Sequence, residues 1–362
     1  MQEAFDLAMS PALVEKLEET KEKAAKADKR RTGLAPLGLG DEAYHVRATG
    51  TKGYRWLLEC DDYLILFANP DTDWPVSVRY TAAGLWEHGV EALRTRALRS
   101  LGAYTTPNTP DHMRVTRADY CYDFHSPAFT DEMREMDFRR AVICHSSAKI
   151  TTRGETFSTW GRPGRTETGT IGSKSALQVE VYDKSLEITE ASGKTWFYEL
   201  WARGADGELF DSDVHRVEIR MAGDFLKERN VRRSHELMAL RPQLITEAMY
   251  TRRLTDPSAG DSNRRRWPLH PLWSEVVRQC DAPDMVPLGR RVTGRRDALV
   301  EKAVAQIAGT ILSTSVLAFG EFDEAKMREL LGPVWNRITH DPDYAKKVAQ
   351  LQLRYEDVEE AQ

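Results

Sequence analysis

Cysteine is scarce, with four residues in 362, and Cys60, Cys121, Cys144 and Cys280 include no C-x-x-C pair. That excludes a zinc ribbon and a disulfide framework, and the four are expected to be reduced, mostly core thiols. No early apolar segment follows a basic flank: MQEAFDLAMS gives way to a heavily charged run. Neither a secretory signal nor a transit peptide is expected, and the expected location is the cytoplasm. Long apolar runs are also lacking. The longest charge-free stretch, residues 303–319, contains Gln306, Thr310, Ser313, Thr314 and Ser315, which argues against a lipid-spanning helix and for a buried or dimer-forming one. Nor is there an excess of positive charge, since 51 Lys and Arg face 56 Asp and Glu for a net charge of −5. That excludes a wholly basic nucleic-acid coat, although net charge hides patches.

What is present is an ordinary globular composition, 41% hydrophobic, enough for a sizeable core and two or three domains. Ser10-Pro11 starts a helix that ends near Gly33, charged along its length and expected to be solvated. From Tyr44 the runs YHVRA, YRWLLEC, YLILFAN and VSVRY, separated by turn residues, predict an antiparallel meander. Leu85, Trp86, Val90, Leu93 and Leu98 then recur at helical spacing, which predicts one helix over 82–101 packed on that sheet. A second strand-rich block runs from Val115 to Met221, with VTRADYCYDF, ALQVEVYDK and HRVEIRM its strongest strands and a helix between Thr130 and Cys144. Beyond Gly223 strand signals fade and helices are expected over 234–254, 271–280, 293–319 and 323–353. The expected fold is α+β: an N-terminal charged helix (1–40), an antiparallel-sheet-rich core flanked by helices (41–222) and a mainly helical C-terminal region (223–362).

Strand alternation sorts the chemistry. Arg117, Asp119, Cys121 and Asp123 share one face of their strand, Glu180, Tyr182 and Lys184 one face of the next, and Arg216, Glu218 and Arg220 one face of the third. Together they offer carboxylates, a phenol and phosphate-binding cations, a set suited to phosphodiester chemistry. Carboxylates from separate strands can hold Mg²⁺ or Mn²⁺ while leaving room for a phosphate oxygen. A phenol, with a pKa of about 10, needs activation by such a cation or by Lys184 before it attacks. The alternation is equally that of the solvent face of any amphipathic sheet, and by itself it leaves both readings open.

These residues lie in three segments that resemble the replication initiation factor family, which includes rolling-circle initiators of plasmids, relatives in filamentous phages and relaxases of integrative conjugative elements. TRADYCYDF resembles the family's T-R-hydrophobic-D-x-x-x-D-F strand, TGTIGSKSALQVEVYDKSLE its segment ending Y-[DN]-K…E, and HRVEIRM its R-V-E-I-x-L strand, in the same order. The resemblance covers about Arg114 to Met221. It implies that Tyr182 is a nicking nucleophile with Lys184 beside it, that Asp119 and Glu218 are metal ligands with Asp123 a third, and that Mg²⁺ or Mn²⁺ is the cofactor. The family lacks the histidine pair of the HUH nucleases, and no H-x-H occurs here either. Two departures stand out: Glu180 occupies the place of the family's Arg two residues before the tyrosine, and the interval from Gly172 to Tyr182 is one residue short.

The implied activity is that of a metal-dependent DNA strand-transferase that leaves a 5′-phosphotyrosine and a free 3′-OH to prime rolling-circle replication. A relaxase with the same chemistry and a nuclease-inactive sequence-specific DNA-binding protein are the alternatives. Expected partners are origin DNA, single-stranded at the nick, a host helicase and a second copy of the chain, with no membrane. Arg117, Arg216 and Arg220 on the sheet, and the clusters Arg264, Arg265, Arg266 and Arg290, Arg291, are the expected phosphate contacts. Arg229, Arg232 and Arg233 form a further cluster, and charge runs alone are also common solvated surface. His125 beside Asp123 lacks a second pair spaced for zinc. Trp196, Tyr198 and Trp201 are expected in the core rather than on unpaired bases.

Overall fold

The computed structural model describes residues 1–27, 33–135, 141–144, 157–162, 165–204, 207, 209–210, 212–279, 294–356 and 358–359. Contacts divide the chain into two units. The first comprises Met1–Glu135, Thr151–Lys227 and Val231–Met238; the second comprises Met136–Ile150, Glu228–Asn230 and Ala239–Gln362. This division differs from a boundary at 40. The first forty residues belong to the first unit because their apolar side chains are buried in its core.

The first unit is organised by an eleven-stranded antiparallel sheet. Its strands are β1 (Gln2–Phe5), β2 (Leu34–Leu39), β3 (Glu42–Arg47), β4 (Trp56–Glu59), β5 (Tyr63–Phe67), β6 (Val76–Tyr80), β7 (Met113–His125), β8 (Phe157–Arg162), β9 (Arg165–Gly172), β10 (Leu177–Asp183) and β11 (Val214–Ala222). Their spatial order is β8-β9-β10-β11-β7-β1-β6-β5-β4-β3-β2. β3 to β6 form the expected meander, which β2, a strand not anticipated, extends at the edge, and the later strands form a second antiparallel block. The four residues of β1 join the two blocks by pairing with β6 on one side and β7 on the other. Nothing in QEAF marks a central strand, because so short a segment carries almost no periodic signal and is recruited by its neighbours' open hydrogen-bonding edges.

Helix α1 (Pro11–Ala27) starts at Ser10, whose Oγ accepts from the Leu13 N–H at 3.3 Å. It buries Leu13, Leu17, Thr20 and Ala24, so it is an amphipathic packing helix rather than a fully solvated one. Helix α2 (Ala82–Leu101) is capped by Thr81, bends at Gly89 with φ +76°, and buries Leu93, Ala97 and Leu101. Both helices pack with Phe5, Trp56, Ile65, Phe67 and Val78 in one core. On the sheet's other block, Val179, Val181, Val217, Ile219 and Met221 are buried. Three short helices belong to this block: α3 (Pro127–Glu135), α4 (Lys184–Glu187) and α5 (Trp196–Gly204). The segment predicted as helix between Thr130 and Cys144 is helical only as far as Glu135 before residues 136–140, which are outside the described set; Val142–Cys144 is a strand. Helices α6 (Gly223–Lys227) and α7 (Ser234–Ala239) follow the last sheet strand.

The second unit is mainly helical, with α8 (Arg241–Thr251), α9 (Pro271–Gln279), α10 (Arg296–Phe319), α11 (Glu324–Thr339) and α12 (Tyr344–Arg354), plus a ribbon of Val142–Cys144 with Arg252–Leu254. The single helix expected over 234–254 is broken before Pro242, which occupies the first turn of α8, the turn where its missing N–H costs nothing. Helix α10 is long and apolar enough, by length and composition, to cross a membrane, and only 6% of its apolar window is buried. Val300, Val304, Ile307, Leu312 and Val316 are exposed on it, which corrects the expectation of a helix buried within the chain. Neither Cys60, half-buried, nor Cys121, exposed, is a core thiol.

Candidate active site

The register of β10, β11 and β7 arranges the polar face as three rows. Tyr182, Arg216 and Asp123 stand in the first row, Glu180, Glu218 and Cys121 in the second, and Gln178, Arg220 and Asp119 in the third. Neighbouring strands lie about 4.8 Å apart, and successive rows are separated by two residues, about 7 Å. Charges of opposite sign are thus placed as cross-strand and diagonal neighbours, and each carboxylate of the face has an arginine partner.

Tyr182 and Glu218 are diagonal neighbours, and the Tyr182 hydroxyl donates to Glu218 Oε2 at 3.0 Å. Arg220 Nε donates to Glu218 Oε1 at 2.6 Å, its Nη2 reaches Glu180 Oε2 at 2.6 Å, and Nη1 reaches Gln178 Oε1 at 3.4 Å. The departure at Glu180 therefore has a structural answer. The glutamate faces Glu218 across the strands, and Arg220 bridges the two. Burial disfavours the Glu218 carboxylate, yet Arg220 and the Tyr182 hydroxyl hold its pKa below the usual carboxylate value. Glu180 is raised by burial, with the Arg220 charge opposing. The Tyr182 phenol is raised by burial and by the Glu218 charge, so its proton leaves only if it is accepted by a partner or offset by added positive charge. The Cys121 residue is exposed as a whole, yet desolvation of its thiol within the face and the neighbouring Glu218 charge push the thiol up to about 12, which keeps it neutral.

Asp123 does different work. Arg216 binds it bidentately at 2.6 and 2.7 Å, and the Trp201 indole N–H donates to it at 2.9 Å. Arg216 is buried at 7% exposure, with the Phe197 ring 4.6 Å from its guanidinium carbon. Asp119 and Asp123 are four residues apart on β7, about 13 Å along the strand, too far to share one ion. Glu218, opposite Cys121, is a diagonal neighbour of both, about 7–8 Å from each at Cα. The three carboxylates do not form a common coordination sphere. Among the described residues, the only group of three or more His, Cys, Asp or Glu with ligand atoms within 4.8 Å of one another is Asp62, Glu87 and His88. Asp119 and Asp123 therefore cannot both join Glu218 at one ion, and Asp123 is the counter-ion of the buried Arg216. Asp119 with Glu218 suits a hard cation that takes one or two carboxylates plus waters and phosphate oxygens, provided Arg117, now 2.8 Å from Asp119, and Arg220 yield. Asp123→Ala is expected to lower unfolding stability by about 3 kcal/mol or more, because Arg216 is left buried without its counter-ion, while Mn²⁺ affinity holds. Urea melts and Mn²⁺ titration check this; unchanged stability with lost Mn²⁺ binding would keep Asp123 in the ligand set.

Several of the other expected contact residues already have partners within the chain. Lys184 is 3% exposed, pairs with Glu187 and lies 4.8 Å from the Phe197 ring centre and 5.9 Å from that of Tyr182. Burial lowers its pKa, so the cation expected to favour the Tyr182 phenolate is a buried one beside that ring, already paired with Glu187. Arg117, Arg216 and Arg220 are engaged by Asp119, Asp123 and the Glu180–Glu218 pair, because an opposite charge one strand away or on the same face outcompetes water for a half-buried guanidinium. Arg264 donates to the Val142 carbonyl at 2.7 Å, and Arg266 binds Asp261 twice at 2.8 Å. The Arg265 side chain, and all of Arg290 and Arg291, lie outside the described residues.

No family model and no curated protein matches this sequence. Among solved structures, the chain is similar to a rolling circle replication initiator protein from Geobacillus stearothermophilus. Identity is 17%, the TM-score is 0.39, and the match covers 77% of this chain and 93% of the other. The site is read from its own residues. Trp201 and Gln178, which hold the carboxylate and guanidinium of the outer rows, were not anticipated. Trp201 belongs to an aromatic group expected to be core, and only the path of α5 brings its N–H to Asp123.

Proposed function

We propose that this protein is a DNA strand-transferase that nicks one strand through Tyr182 to start rolling-circle replication. The observation that carries the reading is the Tyr182 hydroxyl donating to Glu218 within a face of paired carboxylates and guanidiniums, in segments that resemble the replication initiation factor family. In the proposed step the phenolic oxygen bonds to the scissile phosphorus and its proton passes to Glu218. The 3′-oxygen departs, taking a proton from solvent, and leaves a 5′-phosphotyrosine. Arg220 keeps Glu218 ionised and oriented, and the Arg216–Asp123 pair backs the tyrosine's row. A Mg²⁺ or Mn²⁺ ion held by Asp119 and Glu218 would polarise the phosphate and favour the phenolate.

Origin DNA, single-stranded at the nick, and a host helicase are the proposed partners, in the cytoplasm. The exposed apolar side of α10 suits a second copy of the chain. A covalent-adduct gel with labelled single-stranded DNA and Mn²⁺ tests the reaction. DNA bound without any adduct would instead favour a nuclease-inactive binding protein. Glu218→Gln is expected to slow adduct formation by about 10²–10⁴-fold, the usual worth of a positioned proton acceptor, and EDTA is expected to abolish it. Undiminished single-turnover rates in either condition would sink the role given to that carboxylate or to the cation.

A further inference from the structure

A cavity of about 380 Å³ lies beside β7, lined by Trp74, Arg114, Thr116, Asp224, Lys227 and Arg232 among others. Its placement follows from a β-bulge. Gln2 pairs with Arg117 but Glu3 pairs with Val115, so Thr116 is the extra residue. Simple alternation sets Arg114 and Arg117 on opposite faces; the bulge puts them on the same one. Arg114 therefore joins the face that carries Asp119 and Tyr182, about 15 Å along the strand from Asp119.

The cavity's charge is unlike that of the catalytic rows. Arg114, Lys227 and Arg232 are exposed, and among the described residues none of the three has a carboxylate within ion-pair distance. Asp111 is already taken by Arg233, which leaves Asp224 against three free cations. The Arg114 guanidinium lies 4.2 Å from the centre of the half-buried Trp74 ring. Trp74 itself has φ +56°, a left-handed conformation that costs a large side chain energy and that concentrates at ligand clamps. A side chain held there against its backbone preference stands beside cations that no carboxylate among the described residues pairs.

Resting on the nicking reading above, we propose that this cavity is a subsite for one unpaired nucleotide of the DNA strand that crosses the catalytic face. The base stacks on Trp74 and the Arg114 plane, and Lys227 and Arg232 take the flanking phosphates. Aromatic and guanidinium planes stack on any base, and the net positive charge follows the backbone. A cavity of this size is at the small end of ligand pockets, with room for a single nucleotide.

The test is binding of a short labelled oligothymidylate to the full chain, without divalent cation so that no cleavage is required. Trp74→Gly suits the backbone, because glycine accepts positive φ without strain. It is expected to keep or raise the melting temperature while weakening single-strand affinity by about tenfold to a hundredfold, with little change for a duplex whose bases are already stacked. Photocrosslinking of an iodouridine-containing oligonucleotide should map to Trp74. Arg232→Gln and Lys227→Gln, both at exposed positions, should each lower the slope of log affinity against log salt by somewhat less than one unit. Unchanged affinity in Trp74→Gly, with the crosslink elsewhere and salt slopes as in wild type, would overturn the subsite. A Trp74-dependent complex that yields no adduct with Mn²⁺ would instead sink the nicking reading alone. Adduct formation with no Trp74 dependence would sink the subsite alone.

Discussion

Tyr182→Phe is expected to abolish the covalent DNA adduct and strand cleavage while leaving single-strand affinity within about twofold. The substitution removes one oxygen, and that oxygen is the atom proposed to bond to phosphorus; the hydroxyl beside it in the same row is that of Thr168 on β9, an aliphatic alcohol far harder to ionise than a phenol, and Arg216 and Asp123 are the other companions. The rivals Tyr120 and Tyr122 alternate with Asp119, Cys121 and Asp123 on β7 and so belong to the opposite face of the sheet. Losing the hydrogen bond to Glu218 is expected to cost only about 1–3 kcal/mol of stability, and the remaining Arg220 contact keeps Glu218 in place. Denaturing gels of wild type and variant with end-labelled oligonucleotide and Mn²⁺ provide the readout. An adduct of undiminished yield in Tyr182→Phe would remove the tyrosine from the mechanism.

The largest expected effect on stability lies far from the chemistry. Glu3 on β1 is fully buried and receives the Tyr80 hydroxyl at 2.5 Å and two bonds from Arg94 of α2, at 2.6 and 2.9 Å. Burial and the Glu3 charge raise the Tyr80 phenol, so it remains a neutral donor. Arg94→Met is expected to cost about 3–5 kcal/mol, because it strands a carboxylate in the core without its cation. A fall of roughly 10 °C in melting temperature is the corresponding signal for a unit of this size. Since β1 is the strand that joins the two blocks of the sheet, loss is expected across the whole first unit in a single transition. Adding Glu3→Leu to Arg94→Met should recover a large part of the loss, as apolar replacement of a whole buried pair is often neutral. A cost under about 1 kcal/mol for Arg94→Met would mean that Glu3 finds another partner.

How far each feature was readable depends on whether its cause is local. The meander over Tyr44–Tyr80 and helix α2 carry strong period-2 and helical patterns, so their presence was readable. The shared face of Tyr182, Glu218 and Asp119 was equally readable, because alternation on a strand needs no partner. That Asp119 and Asp123 cannot share one ion was available too: four residues on a strand span about 13 Å whatever the sheet does. The cross-strand pairs Arg216–Asp123 and Arg220–Glu180 were not readable because they depend on the neighbouring strand, and the register of β10, β11 and β7 is set over nearly a hundred residues of chain.

The sequence by itself determined the α+β class, the polar face of each of the three candidate-site strands and the helical character beyond residue 223, since these follow from periodicity and local propensity. Tertiary structure alone decided that QEAF is a central strand, that Glu180 and Glu218 share Arg220, that Trp201 holds Asp123, and that a one-residue bulge turns Arg114 onto the face of Asp119. Each of these depends on which strand lies alongside which. That choice is made by burying Phe5, Ile65 and Val78 in one core and Val181, Val217 and Ile219 on the other block, a global condition that no short window of residues contains.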